Sequence, residues 1–269
     1  LVSGVIGLML EANEAAHPED QFPDYPGLTY RDVQHILVET ARFTDPGSAW
    51  EVNAAGYNVS YDYGFGAIDA EAAVQAAIEW VPVDEEISLS GSQAVNQTVP
   101  DDNSTGVTSS ITLDNTVGNI EWVEVNFDAD HAYPGDLEVV LTSPSGTESV
   151  LARTNSYTDP FAGFRYNPAG YDNWTFTSAR HWGESSGGQW TLTVRDLDSA
   201  GVAGDEGFWN SWSVQVYGTE NVGFGPELIA VIPNAGSIIQ QNDTLHVAPR
   251  ELTLRFTEGQ SIDPATLDG

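Results

Sequence analysis

The spacing of apolar residues in this sequence changes near residue 82, from a helical period to strict alternation. Before that point, apolar side chains recur every three or four residues, which is the spacing of one helix face. After it, apolar and polar residues alternate, as in a strand with one buried face. The 269 residues therefore predict a helical segment followed by an all-β domain.

The first 81 residues predict three helices. Residues 1–12 are apolar on nearly all sides, which is typical of a buried helix. A second helix is expected to begin at Thr29 or its neighbour, and a third at Asp69, with an end before Pro82. Residues 14–27 are rich in acids and prolines, without periodicity, and predict a solvated loop.

Residues 82–219 predict one antiparallel β-domain. A strand is expected around Ile87–Val99, and no helical stretch separates the alternating segments, which disfavours a parallel sheet. The residues expected to face the core in three of these segments are Leu137, Val139, Leu141, Trp190, Leu192, Val194, Trp212, Val214 and Val216. Residues 220–269 predict only two strands, too few to bury a core alone, so we expect the start of a truncated third unit.

The net charge and the composition exclude several classes of function. Forty acidic residues face eight basic ones, all arginine, for a net charge of −32. Such a surface repels phosphate backbones and anionic lipids, so we expect no nucleic-acid binding. No apolar run is long enough to span a membrane. The absence of cysteine excludes disulfides and thiol nucleophiles.

The first segment contains three recognisable motifs, the sequences LVSGVIGL at 1–8, LTYRDVQHIL at 28–37 and YGFGAIDA at 63–70. Together they resemble the C-terminal end of the catalytic domain of subtilisin-like serine peptidases, in particular the kexin-like branch. The resemblance implies an α/β fold of which this chain holds the helical tail, residues 1–81. It also implies that the Asp, His and Ser triad lies upstream of Leu1, so the chain contains no catalytic and no cofactor-binding residue.

The second segment contains a further set of motifs, which includes HAYPGDL at 131–137, LTSPSGT at 141–147, RHWGE at 180–184 and WSVQVYG at 212–218. These motifs resemble the P domain, also called Homo B, of kexin-like processing enzymes. This resemblance implies a jelly-roll-like sandwich over residues 82–219 that docks on the catalytic domain and supports its folding. The end of the chain, residues 226–269, is similar to bacterial Ig-like repeats, and the third domain is assigned to residues 220–269.

The function implied is that of a secreted or cell-surface bacterial serine endopeptidase, of which this chain is an inactive C-terminal fragment. Its partner is a protein or peptide substrate held by the catalytic half. Two alternatives stay open: a β-sandwich module that binds extracellular polymer or protein, favoured by an exposed coplanar aromatic pair, and a relic with a degenerate triad. Trp209 is the aromatic residue whose exposure we would test.

Clustered acids predict a Ca²⁺ cofactor, since this ion prefers several carboxylate and carbonyl oxygens on loops. The first candidate ligand set is Asp196, Asp198 and Asp205, and the second is Asp128, Asp130 and Asp136. The alternative is a solvated acidic turn.

The remaining side chains with catalytic chemistry are expected to be structural. Ser3 is on the buried helix and lacks the turn that a nucleophile needs, so we reject it as catalytic. We expect His35 to face solvent, and His131 and His181 to fix turns through hydrogen bonds.

Overall fold

The computed structural model describes residues 2–18, 24–154, 170–197, 206–220, 228–233 and 252–256. The chain forms two compact units, residues 1–221 and 222–269. The helices of the first unit are α1 (Val2–Ala16), α2 (Tyr30–Glu39) and α3 (Ala70–Ile78). Its strands are β1 (Glu51–Val52), β2 (Asn58–Val59), β3 (Ile87–Val99), β4 (Asn103–Leu113), β5 (Val117–Asp130), β6 (Leu137–Thr142), β7 (Glu148–Ala152), β8 (Tyr171–Ser178), β9 (Gly188–Asp196) and β10 (Gly207–Glu220).

The second and third helices begin where the sequence predicts. Thr29 caps α2 in a capping box with Asp32, and Asp69 caps α3 by accepting the backbone N–H of Ala72. Each cap satisfies N–H groups that the first helical turn leaves without a partner.

Helix α1 differs from its prediction in two ways. It continues to Ala16, so part of the predicted 14–27 loop is helical, while residues 19–23 lie outside the described residues. Burial on all sides is also wrong: Val5 and Met9 are buried, whereas Val2, Leu8 and Leu10 are between 43 and 53% exposed. The helix packs through one stripe onto α2 and α3, which covers only a part of its circumference.

The predicted β-domain is a sandwich of two four-stranded antiparallel sheets. One has the strand order β3-β10-β5-β8 and the other β4-β9-β6-β7. Alternate residues of both sheets meet in one apolar core, and every residue predicted to face that core is buried. The jelly-roll-like connectivity remains a prediction.

The second unit contains the antiparallel pair β11 (Leu228–Pro233) and β12 (Leu252–Phe256). The sequence predicts these two strands at Glu227–Ile232 and Leu252–Phe256. Its Ig-like identity and the domain boundaries stay predictions. None of the helices that the structure describes is long and apolar enough to cross a membrane.

Candidate functional site: a charged joint between α2 and the sandwich

Two basic side chains of α2 converge on one carboxylate of the sandwich. Arg31 donates from Nε and Nη2 to the two oxygens of Glu121, at 2.9 and 2.5 Å. One turn later, His35 Nε2 lies 3.0 Å from Glu121 Oε1. All three residues are buried. The two-point geometry fixes the angle as well as the distance between α2 and β5, which a single hydrogen bond would not do.

A β-bulge directs Glu121 toward the helix. Tyr217 and Gly218 are consecutive in β10, but they pair with Trp122 and Ile120 of β5. Glu121, between those two partners, is therefore the extra residue in the ladder. A bulge of this kind bends the strand and changes the direction of a side chain. Gly218 permits the close approach, because a Cβ atom there would lie 2.0 Å from the carbonyl oxygen of Asn119.

The joint changes the proton affinity of its members in opposite directions. Burial alone would raise the pKa of Glu121, but hydrogen bonds and charge from His35 and Arg31 outweigh it and lower the pKa to about 2. Burial would lower the pKa of His35, but its bonds to Glu121 and Glu39 outweigh that effect and raise it. Both shifts favour a carboxylate facing two cations.

The joint also holds the segment that connects α3 to the sandwich. Asp32 accepts the indole N–H of Trp80 at 2.9 Å and the backbone N–H of Val83 at 2.8 Å. Arg31 Nη1 donates to the carbonyl of Asp84 at 2.6 Å. Residues 80–84 are therefore fixed at several points to the first turn of α2.

A second set of polar contacts ties the loop between β1 and β2 to the sandwich. Asn53 Nδ2 donates to the carbonyls of Arg180 and Trp182, at 3.0 and 2.8 Å. The buried carboxylate of Glu184 accepts from the Ala54 N–H at 3.1 Å and from the Ser143 hydroxyl at 2.6 Å, and also from the Thr147 hydroxyl. Buried amide and carboxylate groups with this many partners specify one docked arrangement.

Aromatic packing surrounds the charged joint. The ring of His35 lies 4.6 Å from that of Trp182, which is 1% exposed and also contacts Phe65. Because Glu121 is buried and has three donors, the cluster gives a substrate no access to its carboxylate. The arrangement can hold two segments together but has no reactive group free for chemistry.

Sequence reasoning missed Glu121, Asn53 and Glu184 as joint residues. The sequence does contain one signal for Glu121. Apolar residues along β5 alternate from Val123 to Ala129, but Ile120 precedes Val123 by three residues. A spacing of three in an alternating pattern indicates a bulge. No comparable local signal marks Asn53 or Glu184.

The structure describes one of the two predicted Ca²⁺ ligand sets completely and the other only in part. Asp196 is buried and lies 3.0 Å from His131 Nε2, whereas Asp198 and Asp205 lie outside the described residues. Asp128, Asp130 and Asp136 are not brought together: within the described residues, no three acidic or histidine side chains form a group that could hold a metal. Calcium binding therefore stays a prediction.

Of the roles predicted for three histidines, the structure confirms one. His131 fixes a turn, because its Nδ1 accepts the Tyr133 N–H at 3.0 Å. His181 is fully buried and neither ring nitrogen has a hydrogen-bond partner within the described residues; burial, with the nearby charge of Arg180, lowers its pKa to about 3. The prediction that His35 faces solvent is wrong, because Glu121 reaches it from the sandwich.

The exposed tryptophan is not the one selected from the sequence. Trp209 is buried and donates its indole N–H to the carbonyl of Ser211. Trp174 is 57% exposed, and its ring is inclined by 63° to that of Phe176. These two rings are not coplanar, so they are not an exposed coplanar pair of the kind that would favour the polymer- or protein-binding alternative.

Comparison with known proteins finds a family whose model matches most of the sandwich. Residues 120–216 match the model of the proprotein convertase P-domain. Human proprotein convertase subtilisin/kexin type 6 is 37% identical over 228 residues, which cover 81% of this chain and 22% of the relative. The endoprotease bli of Onchocerca volvulus is 29% identical over 283 aligned positions, which cover the whole chain and 38% of the relative.

A solved structure shares the fold. The crystal structure of a serine protease of Aeromonas sobria superposes with a TM-score of 0.62 at 24% identity, over 72% of this chain and 41% of that one. The chain thus spans about a fifth to two fifths of the length of the relatives described above.

Proposed function

Because the chain contains a P domain of the proprotein convertase (subtilisin/kexin) family, we propose that it is the non-catalytic C-terminal region of a subtilisin-like serine endopeptidase. Its work there is to hold the end of the catalytic domain in place. The observation that carries this proposal is the joint in which Arg31 and His35 of α2 share the carboxylate of Glu121.

The placement of the joint supports a docking role. Its helical side is the segment that resembles the end of a peptidase catalytic domain, and its carboxylate lies within the matched residues 120–216. Breaking such a buried pair leaves an uncompensated charge, so the helical segment resists separation from the sandwich. A stabilising role for the P domain follows from this physical coupling.

The exposed side of α1 supports a second part of the proposal, that further catalytic-domain residues cover it. Val2, Leu8 and Leu10 leave apolar surface there, and a Cβ atom added at Gly4 or Gly7 would meet nothing within 4 Å. Small residues beside apolar ones allow another element to pack closely. In the proposed peptidase, α1 lies directly behind the nucleophilic serine.

The activity of the whole protein follows as part of the same proposal. An upstream Asp, His and Ser triad would hydrolyse peptide bonds, with serine as nucleophile, histidine as base and aspartate as the group that orients it. The substrate would be a protein or peptide in the extracellular space. The fragment itself would be inactive, since it has no triad member.

The test is made in the full-length parent, not in the fragment. We would compare the parent with a Glu121→Gln variant and with a matched Glu138→Gln variant. Glu138 also pairs with an arginine, Arg195, at 2.9 Å, but that pair is partly exposed and lies within the sandwich. Thermal unfolding and the yield of active enzyme, titrated with an active-site serine reagent, are the measurements.

The expected result is a clear loss of active yield and melting temperature for Glu121→Gln and little change for Glu138→Gln. Deleting residues 82–219 should then abolish recovery of active enzyme. A deletion variant with full activity and an unchanged melting temperature would contradict the docking role. A parent that never reacts with the serine reagent would contradict the peptidase assignment separately.

A further inference from the structure

A cavity of about 330 Å³ opens beside the joint, on the surface where α2 meets the sandwich. Its walls are Tyr30 and Gln34 of α2, Trp122 of β5, and residues 177–179 at the end of β8. Tyr30 is 74% exposed, so an aromatic ring stands almost free in water at the rim of the cavity. The charged joint does not use this ring.

Trp122 is fixed in place by a stacked ring and a hydrogen bond. Its ring stacks on Tyr217 with centroids 4.1 Å apart and planes inclined by 12°, so one face of the indole is covered. The indole N–H donates to Glu86 at 3.1 Å, and the Tyr217 hydroxyl donates to Glu124 at 3.1 Å. A ring that donates a hydrogen bond to a carboxylate gains electron density, and its π-face attracts cations more strongly.

The charge around the two aromatic rings is negative, which is the sign that attracts a cation. Glu86 and Glu124 both lie close enough to Tyr217 to raise its pKa, in addition to the effect of burial. Arg31, adjacent in sequence to Tyr30, is directed instead at Glu121, which balances its charge. The chain as a whole carries a net charge of −32, which would draw cations toward this surface.

We propose that Tyr30 and Trp122 form an aromatic clamp for the guanidinium or ammonium group of a basic peptide. The cation would lie between the two aromatic side chains, with Glu86 and Glu124 supplying the opposing charge. Gln34 and the hydroxyl of Thr177 are polar groups available to the peptide backbone.

A neighbouring cavity favours a peptide over a free amine. It has a volume of about 390 Å³, also contains Tyr30 and Gln34, and continues along α2. Its remaining walls are mainly apolar, with Val33, Leu37 and Phe65 among them. A chain with a basic residue followed by an apolar one would fill both cavities at Tyr30.

The experiment measures binding of the full chain to a labelled acetyl-Arg-Leu-Arg-Leu amide in about 150 mM salt. The matched probe replaces both arginines by citrulline, which keeps the shape and removes the charge. Tyr30→Ala is the test variant, because Tyr30 is exposed and alanine suits a helix. Trp174→Ala is the control, since this exposed aromatic lines neither cavity.

We expect saturable binding of the arginine peptide that Tyr30→Ala weakens about five- to tenfold. Trp174→Ala should leave it unchanged, and the citrulline peptide should bind at least tenfold less tightly. Three results would overturn the clamp: no saturable binding, equal affinity for the citrulline peptide, or an affinity insensitive to Tyr30. The last result would assign the binding to diffuse surface charge. None of them depends on peptidase activity, so the two proposals fail separately.

Discussion

Arg31 and Glu121 are 90 residues apart in sequence, yet their side chains meet through two hydrogen bonds at 2.9 and 2.5 Å. The pair links the first turn of α2 to the bulge of β5 across the largest change of architecture in the chain. Because His35 shares the same carboxylate, the loss of Glu121 removes a partner from two side chains.

Glu121→Gln is expected to destabilise the chain by about 3–5 kcal/mol, because the buried arginine and histidine lose their counter-charge. Glu138→Gln, in the partly exposed pair with Arg195, should cost no more than about 1 kcal/mol. Chemical denaturation of both variants measures the difference. Similar losses would show that the joint contributes no more than a surface ion pair.

The contribution of His35 should depend on pH. Its pKa in the folded chain is raised above the ordinary value of 6.5, so its stabilisation is complete below that pH and is lost as the pH rises through the raised value. The difference in unfolding free energy between the wild type and His35→Gln should therefore shrink as the pH is raised from below 6.5 through the raised pKa. NMR titration of the imidazole measures the pKa directly, and a value at or below 6.5 would refute the assignment.

Glu121 should give the opposite dependence at low pH. Its folded pKa of about 2 is below the ordinary 4.5, so its stabilisation is present above 4.5 and is lost as the pH falls toward 2. Acid unfolding should start at a higher pH in Arg31→Gln, where one of the two groups that lower this pKa is removed. An unchanged acid transition in that variant would contradict the coupling.

Gly218→Ala tests the bulge. A Cβ atom there would lie 2.0 Å from the carbonyl oxygen of Asn119, and the backbone cannot yield without moving Glu121. We expect a loss of about 1–3 kcal/mol, as in overpacked cores. The matched change Gly4→Ala, in a helix with open space around it, should be neutral or slightly stabilising. Equal effects of the two substitutions would be evidence against a steric requirement at the bulge.

Calcium should raise the melting temperature if residues 196–205 bind it, since a ligand that binds only the folded state stabilises it. We propose Asp196, Asp198 and Asp205 as ligands, so Asp198→Asn with Asp205→Asn should remove the effect. Glu148→Gln with Glu220→Gln, two exposed acids outside both candidate sets, is the matched control. Calorimetric titration without heat, together with an unchanged melting temperature, would exclude the site.

The local rules predicted much of the fold because their causes are local. Thr29 and Asp69 each accept a backbone N–H three residues away, so their roles are visible in a short window. The alternation in β9 and β10 follows from the pleat of a single strand. Trp190 and Trp212 were therefore placed correctly in the core.

The failures have distant causes. His35 lies between apolar positions on α2, and its burial is favoured by a carboxylate 86 residues away, which no local pattern reveals. The exposed side of α1 was assigned to a core because composition records which residues are apolar, not which elements cover them. Asn53 meets carbonyls more than 120 residues away, and no pattern in its neighbourhood records that distance.

Strand order also determines when this structure can form during synthesis. β10 is the last strand of the sandwich in sequence, yet it lies between β3 and β5 in its sheet. Gly218, which shapes the bulge beneath Glu121, is close to its end. A growing chain folds from its N-terminus, so α2 would form before the sheet that positions Glu121 is complete. That sheet can be completed only when about residue 220 has emerged from the ribosome. A stop codon anywhere before that point would leave the helices without their anchor, even though every helical residue had been made.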